Sequence, residues 1–574
     1  MSSIEEEKQY LANAEASGLV SRLGAYAKLS GPGWLQSAIT LGGGSLASSL
    51  FLGVLAGTSL LWLQPVAIIL GVIMLCAISH VTLSTGQSPF VSINREINPV
   101  LGWGWAVATI MANIVWCLPQ FNLGTAAITQ NLYPELNTPG GKVGICAVLL
   151  ILASTVIWIS DRGSKGAKVF DWVLKIMVGL IVIAFFGVVI KMAGTGELDW
   201  GKVAKGFVPD LSLISEPAET YLPYLEKTGE FRSFWENKIV GTQRDVMIAA
   251  AATAVGINMT FFMPFVLLRR RWGREHRGLA KFDLWTALLI PYVVATSCVV
   301  IAAGSQFYGQ PESAYEDYEN RLIDSDLASG FKKLTTSRLE AEIGKEEFAS
   351  LAPVQQNELQ ANLSSADQDL AAMLVKRDSK QLAASLESLL GSDGWSQDVF
   401  GWGVLGMALS TIIILMTING HAVCEVLGKP HKGPVFLGGA MIAGIGVLGP
   451  FVWGDHGFWL AVPTSIIGFT LIPVAYLSFF LLINNRKVLG KDRPKGTARW
   501  IWNTALLIAL AVMGSAAFLT AWNKTLEGLP VGRYALIIFG VLLIIGHFHL
   551  KNSKLAAKVN TLDLKQQKLE KEQE

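Results

Sequence analysis

Long apolar runs separated by short polar stretches dominate this chain, and each run is long enough to cross a bilayer as a helix. Twelve spans are predicted, at roughly 34–57, 59–85, 103–132, 143–160, 170–194, 246–268, 283–304, 399–424, 434–453, 457–483, 499–521 and 531–549. Two polar stretches interrupt the series, 195–245 after the fifth span and 305–398 after the seventh. The pattern therefore predicts an all-α polytopic membrane protein. Its parts are a polar segment 1–33, five spans over 34–194, spans six and seven over 246–304, spans eight to ten over 399–483, spans eleven and twelve over 484–549, and a polar tail 550–574.

Within the second polar stretch, apolar residues recur at three- and four-residue steps, which predicts short amphipathic helices. The expectation is a small solvated cap that carries no chemistry. Charge sets the orientation. The loop RRRWGREHRGLAK after span six has six basic residues against one Glu, and NNRKVLGKDRPKGTAR follows span ten. Both lie on the even-numbered side, which the positive-inside rule makes cytoplasmic. Both termini are then expected in the cytoplasm and both insertions outside, with the protein in the plasma (inner) membrane. Residues 305–397 carry 16 acidic and 8 basic residues, a balance suited to the outer face.

Two spans contain helix breakers. Span one reads WLQSAITLGGGSLASSLFLGVLAG, with Gly42, Gly43, Gly44 and Ser45 at its middle. Irregular backbone at membrane depth is tolerated where protein or a cavity satisfies it, and a half-helix starting near Ser45 aims its amide ends at that cavity. Span six contains Gly256, Asn258 and Pro264, and Pro264 removes a backbone donor. Broken helices five spans apart are the mark of a five-plus-five inverted repeat with a site between the repeats. Close helix packing is the alternative use of such glycines.

Composition agrees with a membrane protein and narrows the chemistry. Hydrophobic residues make up 51% of the 574, mean hydropathy is +0.44, and 16% are charged, against about 25% for soluble proteins. The net charge of +2 is scattered over loops and predicts no nucleic-acid partner. Five cysteines show no CxxC spacing, so neither a disulfide framework nor a zinc site is expected. The soluble parts contain no nucleophile–base constellation and no phosphate loop, so neither an enzyme nor a cofactor is expected. No span carries an acidic residue at its core; Asp161, Asp171, Asp245, Asp283, Glu425 and Asp455 sit at span ends. A dication or a proton relay needs such groups.

Several segments resemble a known family. SGPGWLQSAITLGGGSLASSLFLGVLAG resembles the first span of natural resistance-associated macrophage protein (NRAMP) metal transporters, where GPG precedes a DPGN motif. MPF in span six resembles their MPH, LIPVAYLSFFLLINNRKVLG resembles their LIP segment and charged turn, and GTAAITQNLY in span three resembles their GTAIALNLL. The resemblance covers most of spans one to eleven and neither insertion. It implies a leucine-transporter-type fold with alternating access around a midplane site. It also implies that Gly42 and Ser45 replace the family's metal-binding Asp and Asn, that Met263 keeps a metal-ligating Met, and that Phe265 replaces the His of MPH. The family's proton-linked acidic positions in span three fall on Leu118 and Phe121.

The membrane core still carries neutral polar groups. Span three offers Asn113, Trp116 and Gln120 at i, i+3, i+7 spacing, with Asn122 less well aligned. Span one offers Gln36, Ser37, Thr40 and Ser45, span six Asn258 and Thr260, and span eight Ser410, Thr411 and Thr417. Such residues also serve as glue between helices. Amides and hydroxyls beside aromatic rings suit a neutral polyhydroxyl solute. The expected site is Ser37, Thr40, Gly42, Gly43, Gly44, Ser45, Trp116, Gln120, Asn122, Asn258, Thr260, Met263 and Phe265. The expected activity is facilitated diffusion of a small sugar-like solute such as glucose, without proton coupling. Sodium coupling through backbone carbonyls stays open. The alternatives are a carrier for a divalent cation such as hydrated Mg2+, and a non-transporting membrane sensor.

Overall fold

A computed structural model of the chain describes residues 4–161, 165–311, 326–391, 394–452, 458–526 and 528–571. Asp455 lies outside the described residues. Within them, regular structure is helical apart from one isolated bridge between Leu526 and Leu529. Eleven helices are long and apolar enough to cross a bilayer, and the pair Pro32–Thr40 and Gly43–Ala56 makes a twelfth crossing. An even number of crossings puts both chain ends on one face, called here the terminal face; the two insertions occupy the other, the insertion face.

Span one breaks where the glycines lie. Its halves meet at Leu41–Gly42 and bend by 53°. Span six differs from expectation in two ways. Its helix begins at Arg232, so the last part of the expected 195–245 insertion belongs to the span. Its interruption falls at Val255 and Gly256, both extended, between helices Arg232–Ala254 and Ile257–Arg269. Pro264 lies inside the second helix and does not break it. Neighbouring helices cover the carbonyl that a proline leaves unbonded, so one lost donor does not end a packed helix.

The insertion after span seven is not a solvated cap. Its described part forms short helices, as its periodicity predicts, including Asp326–Ile343, Pro353–Ala361 and Ser365–Leu374. Leu370, Ala371, Leu382 and Leu386 are 0% exposed and share one apolar core with Leu50, Phe51, Val300 and Phe400 of spans one, seven and eight. The apolar helix faces bury against the span ends because water offers them nothing comparable. Buried Asp367 fixes the insertion laterally, accepting from Trp235 Nε1 (2.6 Å) and pairing with Arg338 (3.1 Å). The shorter insertion clamps the second half of span one and the turn that follows it: Tyr221 Oη donates to Leu55 O (3.0 Å), and Trp62 N donates to Gly206 O (2.7 Å).

The half-helix Pro32–Thr40 is held differently. Fully buried Asp283, at the start of span seven, accepts from Gly31 N (3.2 Å), Gly33 N (2.5 Å) and the Ser30 hydroxyl. A carboxylate on the first amides of a helix answers both its unpaired donors and its dipole. Gly33 permits this approach, since a Cβ there would lie 2.5 Å from Asp283 O. Asp283→Asn turns one acceptor toward these donors into a donor. It is expected to cost about 1.5–3 kcal/mol, the range for hydrogen bonds to charged groups, read as a lowered thermal midpoint of the purified protein.

Candidate functional site

The two helix breaks face each other across one cavity of about 60 Å³. Span one lines it with Thr40, Gly42, Gly44 and Ser45, span three with Trp116 and Gln120, and span six with Gly256, Asn258 and Met259. Thr253 of span six, Thr411 of span eight and Ser465 of span ten complete the polar part of the wall. No Asp, Glu, His, Lys or Arg lines it. Among the described residues, no three His, Cys, Asp or Glu side chains are grouped to hold a metal ion.

Much of this polarity is spent on the breaks themselves. Ser45 Oγ donates to Thr40 O (2.5 Å), a carbonyl that the interrupted helix leaves open, and lies 3.0 Å from Gly42 O, which already accepts from Leu46 N. Gly43 N donates to Thr411 Oγ1 at 3.4 Å. Thr40 Oγ1 donates to Gln36 O (3.0 Å) and sits 3.3 Å from Ala254 O and 3.4 Å from Met259 Sδ, tying the two broken spans together. Asn258 Oδ1 accepts from Met259 N (2.8 Å), within the first turn of the second half of span six.

Two groups are left over. Gln120 Oε1 and Trp116 Nε1 are buried and have no hydrogen-bond partner within the protein. Gln120 is 3% exposed, and a Cβ on Gly43 would lie 2.5 Å from its Oε1. The Trp116 indole is framed by two glycines. A Cβ on Gly256 would come within 2.6 Å of one end of the ring, and a Cβ on Gly468 within 2.2 Å of the other. The tryptophan therefore bridges the break in span six and the middle of span ten.

Six of the thirteen expected site residues do not line the cavity. Ser37 is buried one turn before the break, where its carbonyl accepts from Leu41 N. Gly43 contributes a backbone amide and room for Gln120. Asn122 is buried outside the lining. Thr260 accepts from Trp105 Nε1 (2.9 Å) and donates to Ile257 O. Met263 is 0% exposed, with Gln36 Nε2 3.5 Å from its sulfur; Met259, one turn nearer the break, takes the place at the cavity. Phe265 stacks on His421 with ring centroids 5.4 Å apart, and Phe262 lies at 5.7 Å from the same ring. Span-three Asn113 reaches Asn419 (3.4 Å) instead of the cavity. Leu118 packs on Gly449, and Phe121 is 0% exposed.

Seven lining residues had no sequence signal pointing to a site: Ile39, Ala252, Thr253, Met259, Leu415, Ala461 and Ser465. Each is an ordinary residue of an apolar span until the breaks locate the cavity. Toward the insertion face a second ring cluster flanks the cavity, with Phe51 at 4.7 Å from Trp459 and 6.2 Å from Phe458.

A family model described as natural resistance-associated macrophage protein-like matches residues 33–322 and 367–521, most of the chain. The chain belongs to the NRAMP family. It shares its fold with two solved forms of the manganese transporter of Eremococcus coleocola. A variant of that protein superposes with a TM-score of 0.61 at 12% identity, covering 92% of this chain and 96% of the other. The complex with an aromatic bis-isothiourea substituted compound gives a TM-score of 0.58 at 12% identity, covering 92% and 95%. No curated protein sequence matches significantly. The fold is the leucine-transporter-type inverted repeat, and the NRAMP membership makes this a polytopic membrane transporter.

Two substitutions separate scaffold from site. Ser45→Ala strands the Thr40 carbonyl and is expected to cost about 1–3 kcal/mol of stability, seen in thermal unfolding. Gly468→Ala overpacks the indole and is expected to cost about 1–3 kcal/mol. In a double-mutant cycle, Trp116→Ala should recover most of that loss, because the two groups share one space.

Proposed function

We propose that this NRAMP-family transporter carries a small uncharged polar solute by alternating access, with a sugar-like polyol as the specific class. The observation that carries the reading is the buried, unpartnered amide oxygen of Gln120 beside Trp116, in a cavity wall without a formal charge. A solute hydroxyl supplies the missing donor, and the indole covers an apolar sugar face. Gly42 leaves the cavity without the countercharge a dication needs, since a Cβ there would already lie 2.4 Å from Thr411 Oγ1. Burying an uncompensated charge costs far more than burying a hydrogen-bonded hydroxyl.

The remaining parts of the proposal follow from charge. The basic loops on the terminal face favour a cytoplasmic position for that face, and the absence of ionisable groups from the cavity wall favours facilitated diffusion over proton coupling. Sodium coupling would have to use backbone carbonyls, and Ser45 already covers that of Thr40.

One observation favours a second reading, a divalent cation. The cavity, at about 60 Å³, holds a few waters and not a sugar in this conformation. An ion keeping part of its water shell fits between Thr40, Thr411 and Met259 without further opening. A sugar requires the half-helices of spans one and six to separate.

Proteoliposomes tested in parallel with labelled sugars and with Mn2+ and Mg2+ distinguish the two. Saturable sugar uptake unaffected by a pH gradient is expected. Gln120→Leu and Trp116→Ala should each lower it roughly tenfold, the rate equivalent of about 1.4 kcal/mol. Saturable metal uptake without sugar uptake establishes the second reading, and no flux of either kind returns the sensor alternative.

A further inference from the structure

A second cavity, of about 340 Å³, lies on the periphery of the membrane domain between spans two, seven and eleven. Ile73, Cys76, Trp285, Ile501 and Trp502 form its apolar wall, and Lys281 is its one charged residue. The Lys281 ammonium lies 5.1 Å from the centre of the Trp502 ring. Among the described residues, no carboxylate pairs with it. Asp492 already serves Arg274 and Arg277, at 3.1 Å each, and Asp283, two residues from Lys281, is engaged with Ser30, Gly31 and Gly33. Two arginines thus occupy the one carboxylate of Asp492, and Lys281 is left over.

Three features of the groove fix the kind of occupant. A half-buried ammonium without a counter-ion at the edge of an apolar medium is costly and calls for an anion. The groove below it is apolar and of a volume that otherwise encloses small ligands. Its wall from span eleven, a helix exposed along most of its length, opens toward the bilayer. A soluble anion satisfies the lysine but leaves the apolar groove empty; a neutral lipid fills the groove but leaves the lysine unpaired. We propose that this groove is a binding site for an anionic phospholipid, with its phosphate on Lys281 and the upper part of an acyl chain against Ile73, Ile501 and Trp502. Basic pockets between membrane helices hold anionic head groups by this combination. The lipid ties span eleven, which lies outside the two repeats, to the loop between spans six and seven. This site is separate from the solute cavity, and its occupancy does not depend on which solute is carried.

Native mass spectrometry of the purified full-length protein tests the proposal, with phosphatidylglycerol, phosphatidylcholine and inorganic phosphate as probes. Phosphatidylglycerol is expected to be retained at least fivefold more strongly than phosphatidylcholine. Lys281→Met, which keeps the stem and removes the charge, should abolish that preference, and Lys281→Arg should keep it. In a parallel measurement on the unsubstituted protein, phosphatidylglycerol should raise the thermal midpoint and inorganic phosphate should not. Equal retention of the two lipids overturns the proposal. So does an undiminished preference in Lys281→Met, or equal stabilisation by phosphate alone.

Discussion

The requirement that every backbone polar group be satisfied inside the membrane governs this structure. Span one is cut at Leu41–Gly42 and bent by 53°, which exposes carbonyls and amides at a depth where no lipid can bond them. One serine hydroxyl covers the Thr40 carbonyl, and one threonine hydroxyl of span eight receives an amide. The break in span six is met the same way, by Asn258 from within and by Thr40 from across the gap. The cavity is what remains after these debts of geometry are settled. Its chemistry is therefore defined less by how many polar residues surround it than by which of them are still unoccupied.

That constraint changes the meaning of individual side chains. Ser45 stands where NRAMP metal transporters are expected to carry a ligand, yet its hydroxyl is committed to the scaffold. Gln120 and Trp116 keep unpartnered polar atoms. Around them, glycines do spatial work. Gly42 admits Thr411, Gly43 admits Gln120, and Gly256 and Gly468 admit the two ends of the indole. The GGG sequence thus serves close approach as well as the break, so packing and site are not competing explanations of the same residues.

The insertions restrain the membrane domain unevenly. On the insertion face, Tyr221 and the buried segment around Leu370–Leu386 enclose the second half of span one, and every residue from Leu46 to Ala56 is buried. On the terminal face, the first half of span one rests on Asp283 and leaves Trp34 56% exposed. The first half is thus capped by Asp283 at one end and tied to span six by Gln36 and Thr40 at the other, while the second half is enclosed along its length. This asymmetry is a property of contacts between distant segments.

The number of spans, the two breaks, the family and the uncharged core were legible in the sequence, because each follows from local composition: run length, consecutive glycines, and the absence of acids from apolar runs. Span boundaries were legible to within a few residues except at spans six and seven, whose helical segments start with polar residues and so lack an apolar signal. The site was only half legible. Helical spacing put Trp116 and Gln120 on one face correctly, but it gave no means of choosing Met259 over Met263, or of finding Thr253 and Ser465. Nor did it show that the second insertion is buried, since amphipathic periodicity reports an apolar face without naming what covers it. Sequence alone determined that a polar interruption exists in an uncharged membrane core. Only the tertiary structure decided which polar atoms are free to meet a ligand, because partners such as Ala254 for Thr40 and Thr411 for Gly43 come from distant parts of the chain.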